Sequence, residues 1–337
     1  MKKLPPLTLL ASLLALGTVA GFLIQSSTAQ DDKKKPQTWE EKKAERFKPI
    51  EDHDIKKLNA AAPAKASAEP KKDRKILVFY RCETFIHTSI PTGNYALERA
   101  GKISNAYTLD LADTYDVFSK ENLAQYDAVV LNNTTSLRLE NDDQRTALAD
   151  FVKSGKGLIG IHAAGDNFYQ WEEGGKMIGG QFAGHPWTAG GTYAFQLDDP
   201  EHPVNQAFEG KGFWHTDEIY WYKPETYVGP DKLRLLVSLD MTKEETRKPM
   251  MNEKFADKLK EMGGADNVKV PVSWVRTFGE GRVFYTNIGH REDAYMEPVV
   301  MQHILDGIQY ALGDLEADAT PTSETDAVVA APAPEKE

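Results

Sequence analysis

His87, His162 and His290 each stand at or just beyond the end of a short apolar run, where a side chain can leave the core and face a ligand. An imidazole in such a place serves one of two chemistries. It exchanges a proton near neutral pH as a general acid or base, or its neutral form offers a lone pair to a metal ion. His185, in Gly184-His185-Pro186, and His215, three residues before Glu218, are further candidates. No pair has the compact spacing of a single-helix metal motif, so a metal site must assemble from distant segments. A divalent transition metal held by residues drawn from His87, His162, His185 and His290 is one reading, and a metal-free polar pocket is the other. No cofactor is fixed by the residues alone.

Asp217 and Glu218 are neighbours, and in an extended segment adjacent side chains point to opposite faces. One of them is therefore expected in the pocket, with the other capping a turn or pairing with an arginine. The acid-base reading takes His162 and His87 as the catalytic pair, with Glu218 or Asp217 assisting. Asn133, Trp187, His185, Asp166 and Tyr220 are the candidate substrate-binding residues. Trp187 stands out because a flat ring with a hydrogen-bonding edge suits the C–H face of a sugar. Asp166 follows His162 closely enough to cap the next helix or to orient the imidazole. His53, His202 and His303 read as linker, loop and helix residues without a chemical role.

The elements that carry these residues alternate strand and helix. Lys75 to Tyr80, Ala128 to Leu131 and Gly157 to His162 are continuous apolar runs, as expected of strands covered on both faces. Ala106 to Leu111 is a shorter strand. Helices are predicted over Thr92 to Ala100 and after Asn141, whose capping box with Gln144 precedes the stripe Leu148, Phe151 and Val152 and the terminating Gly155. Strand, crossover helix, strand implies a parallel sheet with right-handed connections. Later segments, Thr192 to Leu197, Leu233 to Leu239, Val270 to Phe278 and Arg282 to Ile288, read as added strands with a tight turn at Gly279-Glu280-Gly281, before a helix from Pro298 to Leu312. In a flavodoxin-like order, 2-1-3-4, the first, third and fourth strands bring His87, Asn133 and His162 together at their carboxyl ends.

Phe85-Ile86-His87-Thr88-Ser89-Ile90, Gly160-Ile161-His162-Ala163-Ala164-Gly165-Asp166, Gly184-His185-Pro186, Asp217-Glu218-Ile219-Tyr220 and Val272-Ser273-Trp274, followed by Gly281 to Tyr285 and Gly289-His290, occur in an order that resembles the ThuA-like family. The resemblance runs from about Arg74 to Gly313 and is nearest to secreted members. It implies a three-layer α/β sandwich like class I glutamine amidotransferases, and a role in the metabolism of disaccharides and their 3-keto derivatives. Amidotransferases place a nucleophilic Cys on the sharp turn after a strand. Here that turn presents His162, so glutaminase chemistry is not expected, and Cys82 reads as a small core residue. If the protein is an enzyme, a sugar hydrolase, lyase or isomerase is the expectation. The competing reading is a non-catalytic carbohydrate-binding module, tethered to the envelope or to a partner enzyme.

The ends of the chain speak of address. Leu9 to Ile24 is apolar, follows Lys2 and Lys3 and leads to Ser27-Thr28-Ala29, so residues 1–29 read as a signal peptide and the protein as exported to the periplasm or beyond. Left uncleaved, that segment is the single membrane attachment the sequence suggests. Residues 30–73 read as a charged linker, 74–315 as one domain, and 316–337 as a disordered acidic tail. One cysteine allows no intrachain disulfide, and a net charge of −11 without a basic stripe argues against a nucleic-acid partner. A sugar or glycoside is the expected ligand; the oligomeric state and the role of the charged stretch 242–267 are not set by the sequence.

Overall fold

The computed structural model describes residues 37–261, 264, 268–326 and 328–336. Two helices, α1 (Trp39–Arg46) and α2 (Asp52–Ala61), precede the series β1 (Lys75–Phe79), α3 (Ile90–Ser104), β2 (Thr108–Ala112), α4 (Lys120–Leu123), β3 (Ala128–Asn132), α5 (Asp142–Lys153), β4 (Gly157–Ile161) and α6 (Glu172–Ile178). Then come β5 (Phe182–Trp187), β6 (Thr192–Leu197), β7 (Phe213–Thr216), β8 (Ile219–Tyr222) and β9 (Arg234–Leu239). Short helices α7 (Glu244–Arg247) and α8 (Ala256–Glu261) lead to the hairpin β10 (Pro271–Phe278) and β11 (Gly281–Thr286), and α9 (Pro298–Leu312) follows.

Alternation along the parallel strands builds the layers. In β1, Ile76 and Val78 face one side with α2, α3 and α9, while Leu77 and Phe79 face the other with α4, α5 and α6. The sheet order is β2-β1-β3-β4-β11-β10-β9-β6-β7, parallel from β2 to β11 and antiparallel beyond. The expected 2-1-3-4 order is therefore present, extended on one side, as a three-layer α/β sandwich. The pair β5-β8 forms a separate small sheet, and β5, β7 and β8 are strands the sequence reading did not resolve. Asn141 caps α5 by accepting from Gln144 N–H at 2.9 Å, but the return bond to the Gln144 side chain comes from Glu140 N–H, one residue earlier than expected.

Two segments expected to lie free are packed. Within the stretch read as a linker, Leu58 and Ala61 of α2 join the core on the α3–α9 face, and Trp39 of α1 packs with Cys82, Ile86 and Ile90. Residues 67–74 then run along α9, with Ser67 bonded to Asp306 and Gln309 and Arg74 paired with Asp314. Few apolar residues suffice, because each lands on a surface the domain has already built. The acidic tail is likewise tied down: Ala331 pairs with Leu197 next to the end of β7, Ala333 is buried, and Trp214 Nε1–H donates to the Pro334 carbonyl at 2.8 Å. Residues 242–261 form short helices that bury Thr246 and Met250 against the later strands. The expected leader, residues 1–29, lies outside the described residues, among which no helix is long and apolar enough to cross a membrane.

His303 is a core residue of α9, with Nδ1 donating to the Val204 carbonyl at 2.9 Å and Nε2 lying 3.0 Å from Ser273 Oγ. Burial pushes its pKa down to about 4. Between about pH 6.5 and 4 the unfolded chain binds a proton that the folded chain refuses, so stability present at neutral pH is lost as pH falls through that window. Burial pushes neighbouring Asp306 up to about 6, and its contribution runs the other way, being lost as pH rises through that value. Comparison with His303→Gln isolates the first effect. In denaturant titrations the stability advantage of the native protein over this variant is expected to shrink by roughly 3 kcal/mol between pH 7 and 4; a constant difference would refute it.

Candidate metal centre

The centre forms where the carboxyl ends of β1, β4 and β11 meet. β4 ends in a turn of 3-10 helix at His162–Gly165, and His162 itself takes a left-handed backbone with φ 44°. This is the geometry of a nucleophile elbow, with an imidazole where a thiol or hydroxyl would stand. Gly160 leaves room for the turn, since a Cβ there would approach Tyr285 Cδ2 to 2.8 Å. The Tyr285 hydroxyl donates to the His162 carbonyl at 2.7 Å and holds the strained backbone in place.

His162 is fully buried, and its Nδ1 donates to the Asn287 carbonyl at 2.8 Å. A carbonyl can only accept, so the proton sits on Nδ1 and Nε2 carries the lone pair. Asn287 also accepts from Tyr220 N–H at 2.7 Å through its side chain, joining β8 to β11. Nε2 of His162 faces His290 Nδ1 at 3.2 Å, and Glu218 Oε1 lies 3.3 Å from His290 Nδ1 and 3.8 Å from His162 Nε2. His87 completes the group. The rings of His87, His162 and His290 stand edge to face at 5.0 Å from one another, and one potential ligand atom from each, with one from Glu218, lies within 4.8 Å of the others.

Ligands about 2.1 Å from a tetrahedral metal lie roughly 3.4 Å from one another. The distances among His162, His290 and Glu218 already match that shell. His87 supplies a further sign, for its Nδ1 is buried without a hydrogen-bond partner. Burial, reinforced by the charges of His290, Arg46 and His185, pushes His87 down to about 3. Burial, with His87 and His290 beside it, likewise holds His162 well below the usual imidazole range. At neutral pH both present lone pairs, which is what a cation requires. Burial works to lower His290 as well, but the hydrogen bond and charge of Glu218, with Asp217 and Glu292, raise it above the ordinary value.

The expected residues divide by what they touch. Glu218 enters the cluster, and Asp217 turns away. The Asp217 carboxylate accepts from Gly289 N–H at 2.7 Å, Arg291 N–H at 3.2 Å and its neighbour Glu218 N–H at 2.9 Å, fixing the loop that carries His290. Gly289 is required there, at φ 133° with Tyr295 Oη 2.8 Å from where a Cβ would be. His215 lies between Asp217 Oδ2 at 3.7 Å and Glu297 Oε2 at 3.3 Å; burial opposes its charge, but the two carboxylates push it up to about 9. His185 is not in the metal set. It is half exposed and bonds the second oxygen of Glu218, Nδ1 to Oε2 at 3.1 Å.

Three of the candidate substrate-binding residues are buried. Trp187 is fully buried, with Nε1–H donating to the Thr246 carbonyl at 2.7 Å, and belongs to the core. Asn133 is buried beneath the cluster, donating to the Tyr295 hydroxyl at 2.9 Å and the Gly289 carbonyl at 3.2 Å. Tyr220 is buried too, its ring 4.4 Å from that of His162. Asp166 ends the turn at His162–Gly165, its N–H donating to the Ala163 carbonyl, and does not cap α6, whose N-cap is Trp171; its carboxylate accepts from the Tyr169 hydroxyl. Cys82 is buried, and burial pushes its thiol up to about 12, which removes it as a nucleophile. Asn287 and the positioning role of Asp217 were missed, because one works through a main-chain carbonyl and the other through main-chain N–H groups. A broad cleft of about 900 Å³ lined by Arg74, Gly101 and Thr108 lies at the amino ends of β1 and β2, away from this chemistry.

Comparison with known proteins agrees with this architecture. A ThuA-like protein from Bacteroides uniformis is 20% identical, covering 73% of this chain and 94% of its own, with a TM-score of 0.54. Another from Parabacteroides merdae is 17% identical, covering 75% and 96%, with a TM-score of 0.51. At such identities the likeness shows the fold, which is the glutamine amidotransferase-like one the resemblance implied. Comparison with curated proteins gives no match. The family model described as trehalose utilisation matches residues 75–311, a span that holds every member of the cluster from His87 to His290, and the chain therefore belongs to the ThuA family.

Proposed function

We propose that the protein acts on a disaccharide or a 3-keto-sugar through a divalent transition metal held by His87, His162, His290 and Glu218. The observation that carries this is the convergence of three imidazoles and one carboxylate from four separate loops, with ligand atoms within 4.8 Å and a buried His87 nitrogen lacking any partner. Three nitrogens and one oxygen suit zinc, manganese, iron or nickel better than calcium or magnesium. A metal so bound supplies Lewis acidity toward a carbonyl or hydroxyl oxygen of the sugar.

The protein's own groups do the rest. Glu218 shares its carboxylate, Oε1 toward the cluster and Oε2 toward His185. This makes half-exposed His185 the proton-exchanging residue at the mouth, and it reassigns His87 and His162 from acid and base to ligands. Tyr220 closes the floor against His162 and keeps water from its far face. The leader expected over residues 1–29 would place this activity outside the cytoplasm.

Elemental analysis of the purified protein, before and after dialysis against a chelator, tests the reading together with turnover of trehalose and 3-ketotrehalose. About one transition metal per chain is expected, with turnover lost on chelation and restored by the metal. Turnover by metal-free protein would overturn the metal role, and tight sugar binding without turnover would select the non-catalytic module instead.

A further inference from the structure

Among the described residues, two Phe, Tyr or Trp side chains are exposed, Phe85 at 54% and Tyr169 at 42%, and both stand on loops that carry the histidine cluster. Phe85 is two residues before His87, and its ring lies 4.8 Å from that imidazole, edge to face. Tyr169 follows the elbow of His162 and bonds Asp166 through its hydroxyl. The two loops are joined. Thr84 and Ser136 share a hydrogen bond at 2.9 Å, Ser136 N–H donates to the Asp166 carbonyl at 2.6 Å, and Thr135 Oγ1 donates to the Phe85 carbonyl at 2.8 Å. The exposed rings thus sit along one tied rim.

Each ring also carries a cation. The Arg46 guanidinium lies 5.7 Å from the centre of Phe85, and the Lys223 ammonium 4.4 Å from the centre of Tyr169. Arg46 comes from α1, outside the family-matched span, so the segment before the domain contributes to this rim. A single exposed apolar ring is ordinary on a protein surface, but here two stand on joined loops beside the histidine cluster, each next to a hydrogen-bond donor. A pyranose matches that pairing, with an apolar C–H face for a ring and hydroxyls at its edge for the cations.

Resting on the reading of the histidine cluster as a sugar-handling centre, we propose that Phe85 and Tyr169 form a stacking platform for a pyranose ring beside it, with Arg46 and Lys223 binding its hydroxyls. The platform sets affinity and preference for cyclic sugars; it takes no part in the bond-making step.

Calorimetric titration of trehalose, maltose and methyl α-glucoside, with sorbitol as the acyclic control, tests this on native protein, Phe85→Ala, Tyr169→Ala and Phe85→Trp, with metal content measured in each. Both alanine variants are expected to bind the pyranosides about tenfold more weakly. Phe85→Trp keeps the affinity, sorbitol binds none of them, and metal content stays at the native level. Unchanged affinity in both alanine variants, or native protein that binds no pyranoside, overturns the platform. Native protein that lacks metal yet binds sugar in a Phe85-dependent way supports the platform and sinks the metal reading alone.

Discussion

His162→Asn is expected to leave the protein folded while stripping it of metal and lowering turnover by more than about a hundredfold. Asparagine is the suitable replacement because the residue sits at φ 44°, a left-handed conformation that Asn adopts more readily than other non-glycine residues. Its amide is too weak a ligand for a transition metal to replace the Nε2 lone pair, and too short to span to His290. Circular dichroism should match the native protein, and elemental analysis should show well under one metal per chain. Native metal content in the variant would remove His162 from the ligand set, and native turnover would remove the centre from the mechanism.

A larger structural effect is expected at Asp217. Its buried carboxylate accepts from three main-chain N–H groups and lies beside His215, so the loop of His290 hangs on one side chain. Asp217→Asn keeps the shape but turns one acceptor into a donor facing an N–H, and it leaves the raised positive charge of His215 with Glu297 alone. A buried N–H without an acceptor and a weakened buried ion pair together cost about 3 kcal/mol or more. For a domain of this size that is a fall in Tm of roughly 5–10 °C. Metal affinity should drop with it, since His290 loses its anchor without any ligand being changed. A variant with native Tm and native metal affinity would show that Asp217 does not position the loop.

The parallel half of the fold was legible because its strands are unbroken apolar runs and Asn141 and Gly155 frame a helix in the usual way. His87, His162 and His290 were legible for the same reason, since a histidine just past a buried strand has one end of the sheet to occupy. That only one of Asp217 and Glu218 enters the pocket followed from the alternation of side chains, but which of them does so depended on the Gly289 loop, far off in sequence. His185 and Glu218 could not be ranked as ligands without distances. The burial of Trp187 was not legible, because an aromatic beside a polar motif reads the same whether it faces ligand or core, and Thr246, which accepts from its ring N–H, arrives from α7. Phe85 carried no signal at all: its exposure depends on what fails to cover it. The packed ends, residues 38–73, 316–326 and 328–336, defeated composition because a handful of residues such as Leu58, Ala61 and Ala333 decide whether a polar stretch is held.

That last feature separates two meanings of a domain. Arg74 and Asp314 pair with each other, and both lie outside the span 75–311 that the family shares. The span matched by the family is therefore smaller than the compact unit, which begins at Thr38. A gene fragment trimmed to the shared span would lose this clasp and uncover the apolar seat of α2, and insoluble expression from it would say nothing about the chemistry of the family.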